Sequence, residues 1–133
     1  MKATGALLMS LALSACSAEE ADTSAIDYTH VEVPLERLST KDARERGRAL
    51  FMQKCALCHG QHADGNGVRS KGLSGKPADF TNPDWRAAAT PRFVFRIVSE
   101  GKRGTSMPAW PTLTQDQKWD VVAYVLSVAE EGP

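Results

Sequence analysis

The chain opens with a mostly apolar run over residues 3–13, behind Lys2, and then changes character abruptly. Residues 17–27 are small, polar and acidic, a composition that buries too little apolar surface to order itself. Val31, Val33 and Leu35 then alternate with polar residues and Pro34, the pattern of a short extended piece laid against a domain. From Thr40 the spacing becomes helical. Ser39 or Thr40 can cap a first helix whose inward face carries Leu50 and Phe51, and Gly47, one turn earlier, lets a neighbouring backbone approach closely. Gly, Ser and Pro punctuate a loop over residues 61–84. Thr90-Pro91 starts a second helix, with an apolar face of Phe93, Val94, Ile97 and Val98 and with Gly101 as its stop. Thr114 and Gln117 form a capping box ahead of a third, in which Trp119, Val122, Val125 and Leu126 recur at helical spacing. No run reads as a strand of useful length, so the periodicity predicts a small all-α domain with long loops.

Such a domain lacks volume for a core. At 133 residues and 42% apolar content the chain is globular and of one-domain length. Three or four short helices over roughly 90 residues nevertheless bury little apolar surface by themselves, so something besides side chains is expected to fill the centre. Charge adds a second asymmetry. The formal net charge is zero, yet residues 17–36 hold six acids and no Lys or Arg, while residues 41–120 hold fourteen Lys or Arg against eight Asp or Glu. An acidic leader thus precedes a basic body, whose Lys54, Arg69, Lys71, Lys76, Lys102 and Arg103 favour an acidic protein partner. No nucleic-acid partner is expected.

The apolar run is of signal-peptide length and too short for a bilayer core of about 30 Å. It ends in Leu13-Ser14-Ala15-Cys16, which resembles a bacterial lipobox, after which the cysteine is lipidated. Residues 1–15 are therefore expected to be a lipoprotein signal peptide, residues 16–38 a tether lipidated at Cys16, and residues 39–133 the folded domain. The mature protein would be exported and lipid-anchored on the periplasmic side of a bacterial membrane. As a coil, residues 17–38 would reach about 26 Å.

Chemistry concentrates in Lys54-Cys55-Ala56-Leu57-Cys58-His59-Gly60. A zinc site could draw on Cys55, Cys58, His59 and His62, but four ligands this close along the chain make a poor tetrahedron. A thiol redox pair belongs in a βαβ setting that is absent, and a disulfide leaves His59 without a role and the core unfilled. Covalent haem accounts for all three residues. Cysteines at i and i+3 lie on one side of a helical turn, so both sulfurs can reach the vinyl groups of one porphyrin while His59 points at the iron. A second axial ligand is then needed. Met52 lies on the His59 side, His62 is too near in sequence, and His30 falls in the tether, which leaves Met107, brought in on a loop by the following Pro108.

With these residues in view, residues 41–130 resemble a class I cytochrome c of the bacterial monohaem type, including the domains of oxidase-associated cytochromes. The matching pieces are Gly47-x-x-x-Phe51, Cys55-Ala-Leu-Cys58-His59-Gly60, Met107-Pro108-Ala109-Trp110 and Val121-Val122-Ala123-Tyr124. The resemblance implies a small cytochrome c fold, three to four helices around one covalent haem c, with Gly47 and Phe51 crossing the last helix at Val121 and Tyr124. It further implies Ile97 and Trp110 near the haem, the Pro77 carbonyl as acceptor for the axial histidine, and Trp85 and Arg86 as candidates to meet the propionates.

An iron held by His59 and Met107 leaves no position for substrate, so the sequence points to an electron carrier and not an enzyme. Its partners would be a redox donor and acceptor, a terminal oxidase or dehydrogenase among them. The alternatives are the haem subunit of an exported dehydrogenase or oxidase complex and, further off, a haem-based gas or redox sensor. Asp64-Gly65-Asn66-Gly67 reads as a turn and not as a calcium loop.

Overall fold

Caps decide where this chain turns helical. In a computed structural model, which describes residues 26–131, a 3₁₀ turn at Tyr28–His30 is followed by α1 (Leu35–Ser39), α2 (Lys41–Lys54), α3 (Ala56–His59), α4 (Pro83–Ala88), α5 (Pro91–Glu100) and α6 (Gln115–Glu131). The lipobox, Cys16 and the signal peptide lie outside the described residues. Thr40 caps α2 by accepting from Ala43 N–H at 3.2 Å, and Thr90 caps α5 by accepting from Phe93 N–H at 3.2 Å. Thr114 and Gln117 close the expected box reciprocally: Thr114 N–H donates to Gln117 Oε1 at 2.9 Å and Gln117 N–H to Thr114 Oγ1 at 3.2 Å. Gly101 ends α5 at φ 74°, a conformation that favours glycine. Among the described residues there is no strand, and no helix is long and apolar enough to cross a membrane.

The central packing is α2 across α6. A Cβ at Gly47 would collide with the carbonyl oxygen of Asp120 and press on the Cβ of Tyr124, so only glycine admits this approach. One turn on, the Phe51 ring meets Tyr124 edge-on at 5.1 Å. The crossing implied by the resemblance is therefore present, with the backbone of Asp120 at its tightest point. Because α2 and α5 flank α6, the last helix is buried almost continuously from Trp119 to Ser127, further round than its apolar periodicity required. Phe95 of α5 stacks on Trp119 at 4.1 Å.

Two elements depart from the sequence expectation. The six-residue α4 falls partly in the expected loop. It starts where Asn82 accepts from Asp84 N–H at 2.8 Å ahead of Pro83, a cap with too little apolar periodicity behind it to read. The second departure lies ahead of α2. Residues 28–38, assigned to the tether, form a strap over α5 and α6. Tyr28, Val31, Val33 and Leu38 pack on the core, while Leu35 is exposed and belongs to a helical turn, not to an extended piece. The Tyr28 ring meets Phe95 edge-on at 6.3 Å, and Arg92 Nε donates to the Val31 carbonyl at 2.8 Å. Polar contacts decide the matter. Asp120 presents a carboxylate only 4% exposed, and Arg37 of α1 reaches it at 2.9 Å while Arg46 of α2 binds both its oxygens at 2.9 and 3.2 Å. A buried carboxylate needs such partners, and one of them comes from the strap.

Candidate functional site

The end of α2 and the whole of α3 bring the cysteines and the histidine to one place. Cys55 caps the junction between the two helices, and the carbonyl of Cys55 accepts from the N–H groups of both Cys58 and His59. That turn sets Cys55, Cys58 and His59 on the wall of a cavity of about 240 Å³ inside the helical layers. Phe51, Val121 and Val125 form its floor from α2 and α6, and Phe93, Val94, Ile97 and Val98, the whole predicted apolar face of α5, form a second wall. Phe80 and Trp85 close a third side, with the Phe80 ring stacked on the His59 imidazole at 4.8 Å. Met107 enters from the loop after α5, 48 residues beyond His59 in sequence.

Histidine orientation follows from one hydrogen bond. His59 Nδ1 lies 3.1 Å from the carbonyl oxygen of Ala78, which can only accept, so the ring proton sits on Nδ1 and Nε2 keeps its lone pair. Burial holds the imidazole below its ordinary pKa, against the opposing pull of the Ala78 carbonyl, and keeps it neutral as a metal ligand must be. The acceptor is a correction: Pro77 was the candidate, but its carbonyl turns towards Gly65, where a Cβ would lie 2.8 Å from it, and the next carbonyl takes the histidine. The Pro77 ring remains in the cavity wall.

The remaining assignments divide. Ile97 lines the cavity as expected. Trp110 does not: its backbone N–H is tied to the Val98 carbonyl at 3.0 Å, its indole N–H is buried without a partner, and Lys54 lies 5.8 Å from its ring. Trp85 is in the wall, whereas Arg86 is held by α6, through the Leu126 carbonyl at 2.8 Å and Glu130 at 2.6 Å. The competing ligands are elsewhere. Met52 and His62 line a separate groove, and His30 pairs with Asp27 at 3.2 Å. Asp64 accepts from Asn66 N–H at 3.0 Å, the plain turn expected there.

These walls suit one kind of occupant. Among the described residues no three His, Cys, Asp or Glu side chains gather as a metal site, which leaves zinc short of donors. Burial, reinforced by the neighbouring Cys58, pushes the Cys55 thiol up to about 11, so it is no thiolate redox nucleophile. What remains is an apolar cavity holding two thiols, one nitrogen donor and one thioether, with Lys76 and Lys102 as the charged residues of its lining and no carboxylate. That set fits a flat apolar macrocycle attached through sulfur, whose iron takes nitrogen and thioether ligands and whose carboxylates are anionic.

Known proteins agree with the fit. Residues 42–125 match the family described as cytochrome c oxidase, cbb3-type, subunit III. Cytochrome c55X of Stutzerimonas stutzeri is 29% identical over 86 residues, which span 62% of this chain and 62% of that protein's length. A chain of the Kuenenia stuttgartiensis reducing HAO-like protein complex Kustc0457/Kustc0458 superposes with a TM-score of 0.64 at 28% identity, covering 74% of this chain and 49% of that one. The KustC0563 c-type cytochrome superposes at 0.51, also at 28% identity, covering 62% of this chain and 95% of that one. The cofactor of the cavity is a covalently bound haem c.

Proposed function

Because the chain belongs to the family of cytochrome c oxidase, cbb3-type, subunit III, we propose that it carries single electrons on one haem c attached at Cys55 and Cys58 and ligated by His59 and Met107. The observation that carries this reading is the arrival of Met107 in the cavity that holds His59, with Met52, His62 and His30 all directed elsewhere. When bound, the haem supplies the ferrous–ferric couple; the chain supplies everything else. His59 is oriented by the Ala78 carbonyl, Phe80 braces its ring, and the apolar walls exclude water. His59 and Met107 would hold the iron between them and would leave no site for a substrate.

The test is Met107→Ala. Haem attachment survives, since Cys55 and Cys58 are untouched. The potential falls with loss of the thioether, and the reduced variant binds carbon monoxide readily where the wild type binds it hardly at all. An unchanged six-coordinate low-spin spectrum and potential would remove Met107 from the site. A second reading, a haem subunit working inside a larger redox enzyme, draws support from the family being described as an oxidase subunit and from the superposed chain belonging to a protein complex. Co-purification with catalytic subunits distinguishes it from a free carrier.

The same proposal includes export and an anchor at Cys16, supported by the lipobox-like Leu13-Ser14-Ala15-Cys16. Eleven residues separate Cys16 from Tyr28, where the strap begins. As a coil they would reach about 18 Å, shorter than a tether running to residue 38, and would keep the domain close to the membrane. Cys16→Ser should shift the protein from the membrane to the soluble fraction. A mature protein whose mass shows an unmodified Cys16 would remove the anchor.

A further inference from the structure

Two hydroxyl-bearing loops meet at the edge of the cavity beside Met107, and the ligand assignment itself uses neither. Ser106 N–H donates to the Ser74 carbonyl at 2.8 Å, and Ser74 N–H donates back to Ser106 Oγ at 2.9 Å. Among the described residues these are the hydrogen bonds that join residues 71–77 to residues 102–107. Within the second loop, Met107 N–H donates to Thr105 Oγ1 at 3.2 Å, and Thr105 Oγ1 donates to the Lys102 carbonyl at 2.7 Å. Lys102 N–H donates to the Met107 carbonyl at 3.1 Å. Behind it, a Cβ on Gly101 would lie 2.6 Å from that same carbonyl oxygen, so the loop is seated directly on the end of α5. Met107 is therefore gripped at its N–H and its C=O, and its loop is pinned across the mouth by Ser106.

We propose that Ser106, together with Thr105, is a positioning residue for Met107: a hydroxyl latch that holds the thioether in the cavity and sets how often that axial position opens. The inference rests on Met107 being the ligand. In this proposal the side chain withdraws as residues 102–107 move away from residues 71–77, a motion that breaks both Ser74–Ser106 bonds. Ser74 and Ser106 are exposed, so each bond has ordinary strength. Losing one shifts the closed–open equilibrium by about two- to twelvefold. The spectrum of the closed form should not change, because the ligand set is intact.

The experiment uses the holoprotein and four variants: Ser106→Ala, Ser106→Thr, Thr105→Val and Met107→Ala. Carbon monoxide is mixed with each reduced protein at neutral pH, and the binding rate is read alongside the absorption spectrum, potential and melting temperature. The expected result is a rate about fivefold above wild type for Ser106→Ala and for Thr105→Val, a wild-type rate for Ser106→Thr, and six-coordinate low-spin spectra in all three. Unchanged rates in Ser106→Ala and Thr105→Val, with Met107→Ala binding carbon monoxide readily, overturn the latch and leave the ligand assignment standing. Lower melting temperatures without faster binding overturn it equally, because the hydroxyls would then be structural only. If Met107→Ala keeps the wild-type spectrum, the ligand assignment fails and the latch fails with it.

Discussion

Asp120 shows how much one side chain can be asked to do. Burial alone would raise its pKa, but hydrogen bonds from Arg46 and Arg37, backed by their charges, outweigh burial and hold it below the ordinary carboxylate value. A carboxyl depressed in the folded state contributes stability at neutral pH, and that contribution is lost as pH falls through the folded-state value, below about pH 4. Asp120→Asn should therefore cost about 1–2 kcal/mol at pH 7, between what an exposed pair contributes and what breaking a fully buried pair costs, because Arg46 is half exposed. Its deficit against wild type should be smaller at pH 3, because the unfolded-state carboxyl, with its ordinary value of about 4, is by then taking up its proton. Denaturant melts at the two pH values check this, and an equal deficit at both would show that the ion pairs carry none of the pH dependence. His59 makes the complementary point: a main-chain carbonyl, from Ala78, selects its tautomer, and no side chain in the sequence could have announced that.

The α2–α6 crossing is the element on which the cavity floor depends, since Phe51 reaches it from α2 and Val121 and Val125 from α6. Gly47→Ala sets two effects against each other. Alanine is the better helix former by about 1 kcal/mol, but its Cβ would collide with the Asp120 carbonyl, which is main chain and cannot rotate away. Overpacking of this kind costs about 1–3 kcal/mol, and more where backbone must move, so the clash wins. The expected outcome is a melting temperature lower by roughly 10 °C, with the haem spectrum perturbed as the helices part. A melting temperature at or above wild type would mean that the crossing tolerates separation.

Across the whole molecule, a cavity in the middle of the helical layers means that the side chains do not complete their own core. The same Phe51, Phe80, Val94 and Val98 that would form the centre of an ordinary small domain face that space. A haem bonded to Cys55 and Cys58 stays attached when the chain unfolds, but its packing and ligation contacts are made only in the folded state and stabilise that state. Cys55→Ala/Cys58→Ala should accordingly yield a chain with weak helical circular dichroism and no cooperative melt. A cooperative transition near the wild-type temperature would show that the helices close without the haem. Lys76 and Lys102 stand in the lining with no carboxylate beside them, so the basic surplus of the body is expressed at the site itself.

Local chemistry was legible in the sequence because it is written in neighbouring residues. Thr90 and Thr114 cap the helices they were expected to cap, the apolar face of α5 lines the cavity residue for residue, and Cys55, Cys58 and His59 share one turn by spacing alone. Met107 was reached by elimination along the chain, and it lines the same cavity as His59. Tertiary structure decided what depends on partners far away in sequence. Arg37 falls in a segment read as tether, and its bond to Asp120, 83 residues on, is one of the contacts that hold the strap on the domain. Arg86 seemed free to meet a propionate until the Leu126 carbonyl, 40 residues on, claimed it. Ala78 and not Pro77 meets His59 Nδ1, a choice between adjacent main-chain carbonyls that both lie close to Gly65. Caps, turns and ligand spacings are short-range and survive as sequence pattern, whereas the partner of a buried charge or of a main-chain carbonyl is chosen by packing and leaves no periodic trace.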